Sequence, residues 1–209
     1  MAHRAMSDAQ QVVDIQLRYA RAGTSLAQAA LAGSKTCVEL RHYPAKDIFD
    51  EATGNCFFYH AHQSHHFSSN EEHGHFHLFH YDQNPKNKAN KAFFHIAGLS
   101  IDAFGSPLRW FTTNRWVTGE RLCTARHIEK VLPYFQIQSH GRLSPIANWL
   151  SAMVRLFSSD IASILYARDS LLKERFAHTK RMIVLEDRTL DIVSECRISL
   201  STRIQQFSS

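Results

Sequence analysis

The sequence has few of the residues that restrain or interrupt a chain: four cysteines, five prolines and eight glycines among 209 residues. The cysteines are widely scattered and form no Cys-x-x-Cys pair, which argues against a disulfide framework or a thiolate zinc site. No apolar run approaches the roughly 20 residues that span a bilayer, and the first residues lack the apolar segment of a secretory signal. We therefore expect a soluble, cytoplasmic protein with reduced thiols and no membrane partner.

The charge is only mildly basic, because 24 lysines and arginines face 19 acidic residues and give a net charge of +5. No block of five or more basic residues occurs, so the sequence does not show the concentrated charge of a nucleic-acid binder. A hydrophobic content of 44% excludes a disordered chain. The length predicts a single domain over residues 1–209.

Hydrophobic patterning predicts an α+β fold in three parts. A helical N-terminal segment covers residues 1–50, with a break near residues 23–25. A small antiparallel sheet follows over residues 55–115, because aromatic and β-branched runs are typical of strands. Its predicted strands are 56–62, 75–81, 93–101 and 108–113.

The last part, residues 118–209, is predicted to be helical and to end in a helical hairpin. From Pro145, apolar residues recur at spacings of three, four and seven, which indicates one apolar stripe on a helix. A division is expected near residues 158–160, and a final helix from about Asp187. We expect these helices to serve core packing, and they also offer a surface for a homodimer.

The most unusual feature is a cluster of histidines, since eight of the 14 lie between His60 and His80. In a strand, residues i and i+2 point to the same face. The pairs His60/His62 and His75/His77 would each share a face, and a hairpin would bring them together. We therefore predict four metal ligands: His60, His62, His75 and His77.

The identity of the metal stays open at this point, because imidazole suits iron, zinc and copper alike. Glu72 precedes the second histidine pair and is predicted to act as a catalytic acid or base, as a further ligand, or as a hydrogen-bond partner of a ligand histidine. His80 is expected on the opposite face from His75 and His77. We assign no role to His65 and His66.

A second stretch, residues 108–120, combines guanidinium groups, aromatics and hydroxyls. Arginine can clamp a carboxylate or phosphate with two hydrogen bonds. We predict Arg115 as a catalytic residue, and Arg109, Asn114 and Trp116 as binding residues for a small, anionic substrate. The alternative is a strand end followed by a capped helix.

Three runs together resemble an uncharacterised bacterial family, a domain of unknown function of similar length. They are Tyr-His-Ala-His at 59–62, Glu-His-Gly-His-Phe-His at 72–77 and Phe-Thr-Thr-Asn-Arg-Trp-Val-Thr-Gly-Glu at 111–120. The resemblance covers about residues 40–180. It implies that the motifs belong together, but it implies no reaction and no catalytic residue.

Three functions fit these features. The first is a metal-dependent enzyme, either a hydrolase or an oxygenase. The second is a protein that stores or senses a metal without catalysis, which predicts a closed coordination shell. The third is an interaction module whose histidines form a pH-responsive surface.

Overall fold

A computed structural model describes residues 2–34, 38, 41–60, 72–82 and 93–208. Within these residues, six strands form one antiparallel sheet in the order β1-β2-β3-β4-β5-β6. The strands are β1 Tyr43–Phe49, β2 Asn55–His60, β3 Gly74–Tyr81, β4 Phe93–Ile101, β5 Pro107–Thr113 and β6 Ile192–Arg197. The predicted α+β class, with a mid-chain antiparallel sheet and helices towards both ends of the chain, is confirmed.

The helices lie before and after the run of strands β1 to β5. They are α1 Ala2–Arg21, α2 Leu26–Ala30, α3 Arg115–Thr118, α4 Ala125–Glu129, α5 Ser144–Leu156, α6 Ser158–His178, α7 Arg181–Leu185 and α8 Leu200–Ser208. Two 3₁₀ turns, Leu132–Tyr134 and Gly141–Leu143, connect α4 to α5. The expected division near residues 158–160 is present, because α5 ends at Leu156 and α6 begins at Ser158.

The predicted break in the N-terminal helical segment is also present. Gly23 has a φ of +67°, which a glycine adopts without steric cost. Ser25 then caps α2: its side chain accepts a hydrogen bond from the Gln28 backbone, and the Gln28 side chain accepts one from the Ser25 backbone. The chain therefore stops one helix and starts the next within four residues.

Two strands lie where the sequence analysis predicted only helix. Strand β1, Tyr43–Phe49, falls inside the segment 1–50, and β6, Ile192–Arg197, replaces most of the helix predicted from Asp187. The three-residue spacing of Leu190 and Val193 resembles a helical stripe. Residues 192–197 instead pair antiparallel with β5, and this pairing satisfies backbone groups along that edge of the sheet. Only Leu200–Ser208 of the predicted final helix is helical.

The main core lies between one face of the sheet and the helices. The sheet contributes alternate residues such as Phe57, Phe76 and Trp110, all at most 1% exposed. Helix α5 contributes Trp149, whose ring centroid lies 6.2 Å from that of Phe76. Because successive residues of a strand point to opposite faces, the residues between these core positions form the second face of the sheet.

Among the described residues, no single helix is long and apolar enough to cross a membrane. Taken together, the bent pair Gly141–Leu156 and Ser158–His178 does pass that test of length and composition.

A nearly buried ion pair between Asp8 and Arg155 connects α1 to α5. The Arg155 guanidinium donates from Nε to both carboxylate oxygens of Asp8 at 3.1 Å, and its Nη1 donates to the Phe135 carbonyl at 2.7 Å. The two side chains are 12% and 7% exposed. Removing one partner of such a pair leaves the other charge unpaired in a poorly hydrated site.

We expect Asp8→Ala to lower the free energy of unfolding by about 3 kcal/mol, measured by urea denaturation. Asp14→Ala is the matched control, because Asp14 is exposed on the same helix and accepts a hydrogen bond from the Gln10 side chain, one turn away. Its expected effect is about 0.5 kcal/mol or less. Equal losses in the two variants would contradict this account of how α1 is held.

Candidate metal centre

The second face of the sheet carries a group of buried histidines. In the antiparallel pair of β2 and β3, His60 lies directly opposite His75, and Phe58 lies opposite His77. Strand alternation places these four side chains on one face. His60 is 8% exposed, and His75 and His77 are each 2% exposed. The predicted convergence of the two histidine runs is therefore present for three of the four histidines.

The three imidazoles are close enough for one ion. The ring centroids of His60, His75 and His77 lie 4.5 to 5.0 Å apart, and the rings are nearly perpendicular to one another. Nε2 of His60 lies 2.7 Å from Nε2 of His75. One ligand nitrogen from each ring lies within 4.8 Å of the other two. Zinc binds imidazole nitrogen at about 2.0–2.1 Å, so the set fits a single metal ion.

Glu72 lies behind the cluster rather than beside the three nitrogens. Its Oε1 lies 2.7 Å from Nδ1 of His75, and its Oε2 accepts a hydrogen bond of 2.9 Å from Nη2 of Arg109. Burial raises the pKa of Glu72, but the hydrogen bond and charge of His75 and the charge of Arg109 outweigh burial and lower it. Glu72 is therefore an anion that accepts the Nδ1 proton of His75, which leaves Nε2 of His75 with a lone pair.

Arg109 connects this carboxylate to the far edge of the sheet. Its Nε donates to Oγ of Ser100 at 3.3 Å, and its Nη1 donates to the carboxylate of Glu195 on β6. The guanidinium thus contacts two carboxylates, and its side chain is 16% exposed. The structure brings Arg109 and Glu72 together beside the histidines, and it places Arg109 against protein carboxylates. The predicted role of Arg109 in substrate binding stays a prediction.

His95 joins the cluster, although the sequence analysis did not select it. It is 2% exposed, its Nε2 lies 3.1 Å from Nδ1 of His77, and its Nδ1 lies 3.2 Å from Oγ1 of Thr113. Burial, with the charges of Arg168 and His75, lowers the pKa of His95 to about 3. His95 is therefore a neutral imidazole with a single N–H.

A β-bulge explains how His95 reaches this face. Ala97 pairs with Leu78, and the next pair joins His95 to Phe79, so that Ile96 is an extra residue in β4. Regular alternation would put Ile96 on the metal face and His95 in the main core. The bulge reverses the two, and Ile96 is fully buried in the core instead.

Aromatic rings surround the three histidines. The ring centroid of Phe58 lies 5.2 Å from that of His77 and 5.4 Å from that of His60. The ring centroid of Phe111 lies 5.2 Å from that of His75. His42 stacks on Phe58 at 3.7 Å. This apolar lining strengthens electrostatic interactions at the cluster, because few water molecules are present to screen them.

No thiolate contributes to the cluster among the described residues. Cys56 lies on the same face as Phe58 and Phe79. Burial, followed by the nearby charge of Asp47, raises the pKa of its thiol to about 12. The side chain therefore stays protonated and acts as an apolar group.

The remaining predicted site residues lie at the end of β5 and in α3. Asn114 caps α3 by accepting a hydrogen bond from the Arg115 backbone, and it donates to the Val184 carbonyl at 2.8 Å. Arg115 pairs with Glu186, and the indole of Trp116 donates to the Leu190 carbonyl. These contacts match the alternative of a capped helix after a strand. Their catalytic and substrate-binding roles stay predictions.

The other histidines of the run divide into three groups. His73 contacts Tyr59 instead of the cluster, and its Nδ1 lies 2.6 Å from the tyrosine hydroxyl. His62, His65 and His66 lie outside the described residues, so the assignment of His62 as a ligand rests on the sequence alone. His80 is on the opposite face from His75 and His77, where it bonds Oδ1 of Asn55 at 2.8 Å. It is therefore separate from the cluster.

Gly98 makes room for the aromatic ring beside the histidines. It lies between His77 and Phe111 in adjacent strands, and a Cβ atom at this position would lie 2.2 Å from Cζ of Phe111. The Phe111 ring, only 1% exposed, occupies that space. A side chain at position 98 would push the ring away from His75 and His77.

We expect Gly98→Ala to lower the free energy of unfolding by about 1–3 kcal/mol because of this overlap, measured by urea denaturation. The double variant Gly98→Ala/Phe111→Leu should be more stable than Gly98→Ala alone, since leucine clears the added methyl group. A Gly98→Ala variant as stable as the unaltered protein would show that the ring does not need this space.

Comparison with known proteins identifies a family. The model of a domain of unknown function, DUF6969, matches residues 6–198. No curated protein and no solved structure matches the chain. The match confirms the resemblance to an uncharacterised domain family and extends it beyond residues 40–180. The chain belongs to the DUF6969 family.

Proposed function

We propose that this protein binds a divalent transition-metal ion through His60, His75 and His77 and is a metal-dependent enzyme. The observation that carries the proposal is the buried trio of imidazoles, each offering a nitrogen within 4.8 Å of the other two. Imidazole is the commonest protein ligand of transition metals, and one ion could take a nitrogen from each of the three rings.

The burial of the cluster favours a metal centre over a pH-responsive surface. A surface switch needs histidines that exchange protons with solvent, whereas these three side chains are 2–8% exposed. Glu72 also supports the metal centre. Metal-bound histidines usually donate their second N–H to a carboxylate or carbonyl, and His75 makes this contact.

The role of Glu72 favours zinc or copper over iron. A non-haem iron site of the common type needs two histidines and one carboxylate as ligands. Both oxygens of Glu72 are hydrogen-bonded, one to His75 and one to Arg109. The group of described residues close enough to hold one ion consists of three histidines and no carboxylate. Three histidines with an open fourth position are typical of catalytic zinc.

In such an enzyme, a bound zinc ion would supply Lewis-acid activation of a water molecule. The chain would contribute the rest: Glu72 orients the His75 ring, Arg109 holds Glu72, and Phe58 and Phe111 limit water around the cluster. We assign Arg109 to this supporting role instead of substrate binding, because its charge is matched by Glu72 and Glu195.

We expect the purified protein to bind one zinc ion, and His75→Ala/His77→Ala to abolish stoichiometric binding, measured by elemental analysis after dialysis and by isothermal titration calorimetry. His80→Ala is the matched control, because His80 lies on the same strand but on the other face. It should keep full zinc binding. No stoichiometric zinc or copper in the unaltered protein, or equal losses in the double variant and in the control, would contradict the proposal.

We expect Glu72→Gln to weaken zinc binding by about 10–100-fold, because His75 loses the carboxylate that accepts its Nδ1 proton. Glu195→Gln is the control, since Glu195 is half exposed and contacts only Arg109 among these groups. Its effect should stay within about threefold. If Glu72→Gln binds zinc as tightly as the unaltered protein, Glu72 is not an orienting partner.

A further inference from the structure

We propose that His95 and Thr113 position His77 for metal binding by fixing the proton of His77 on Nδ1. This inference rests on the proposed metal centre and adds two residues that do not touch the metal. Both side chains are buried, with His95 2% and Thr113 3% exposed. They form a chain of two hydrogen bonds that starts at the ligand His77.

With one N–H on each imidazole, the chain has two possible proton arrangements. In the first, Nδ1–H of His77 donates to Nε2 of His95, and Nδ1–H of His95 donates to Oγ1 of Thr113. In the second, every donor and acceptor is exchanged: the Thr113 hydroxyl donates to His95, and His95 donates to Nδ1 of His77. Both arrangements contain the same number of protons.

Only the first arrangement is compatible with coordination of a metal ion through Nε2 of His77. A neutral imidazole has one N–H, so a proton on Nδ1 of His77 leaves a lone pair on its Nε2. In the second arrangement the proton of His77 sits on Nε2, and that nitrogen cannot coordinate. The direction of two hydrogen bonds thus decides whether His77 is a ligand.

The geometry around His95 fits the first arrangement. Nε2 of His95 faces His77, whereas Nδ1 is the ring nitrogen nearer the main chain and faces Thr113. An N–H on Nδ1 of His95 therefore has the Thr113 hydroxyl oxygen as its acceptor, 3.2 Å away. The bulge at Ile96 keeps the His95 ring at this position.

Thr113→Val tests the direction of the chain. Valine has nearly the shape of threonine but cannot accept a hydrogen bond, so His95 loses an acceptor for its Nδ1–H. We expect zinc affinity to fall by about 10–100-fold, measured by competition with a chromophoric chelator. Thr113→Ser keeps the hydroxyl and should restore the affinity to within about threefold.

Thr112→Val is the matched control. Thr112 is the neighbouring buried threonine, but its hydroxyl lies on the other face and contacts Oγ of Ser194 at 2.6 Å. This variant loses a buried hydroxyl in the same strand without touching His95. Its zinc affinity should stay within twofold of the unaltered protein. Equal losses in Thr112→Val and Thr113→Val would overturn the proposal.

A second measurement needs no metal. Long-range ¹H–¹⁵N correlation spectra of the metal-free protein report which nitrogen of each histidine carries the proton. We expect Nδ1–H on His77 and His95, and a shift of the His77 proton to Nε2 in Thr113→Val. A proton on Nε2 of His77 in the unaltered protein would overturn the positioning role. If zinc does not bind, the proposed function is wrong. The spectrum of the metal-free protein still tests the direction of the hydrogen bonds between His77, His95 and Thr113.

Discussion

The pairing of β2 with β3 is the constraint on which the candidate site depends, because His60 lies opposite His75 and Phe58 opposite His77. A shift of one residue in this pairing would turn every second-face side chain of one strand into the main core. The core prevents such a shift. Phe57, Phe76 and Trp110 alternate with the site residues and are at most 1% exposed against the helices. Packing of the core face therefore fixes which side chains lie on the second face, where the histidines are.

The same register extends across the sheet and supplies the supporting groups. His75 lies opposite Ser100, and Ser100 lies opposite Arg109, whose guanidinium returns to Glu72. The neighbouring row runs from His77 through Gly98 to Phe111. The row that ends at Arg109 therefore supplies the charged and hydrogen-bonding groups beside the cluster. The row that ends at Phe111 places an aromatic ring beside it. Both rows come from the three consecutive strands β3, β4 and β5, whose pairing brings these residues together.

Much of this arrangement could be predicted from the sequence, and the exceptions have physical causes. The i, i+2 spacing of His75 and His77 sufficed to predict a shared face. His95 could not be found in this way, because the bulge at Ile96 inverts the parity of β4 and no glycine or proline marks it. The contact of Arg109 with Glu72 joins residues 37 positions apart. The edge strand β6 depends on pairing with β5, and no local pattern encodes that contact.

X-ray absorption spectroscopy at the zinc edge of the loaded protein would count the imidazole ligands of the bound ion. We expect three imidazole nitrogens at about 2.0–2.1 Å and one non-imidazole ligand such as a water oxygen. A shell of four imidazoles would close the site and contradict the catalytic part of the account. A shell containing sulfur, or fewer than three imidazoles, would contradict the assignment of His60, His75 and His77 as the metal ligands.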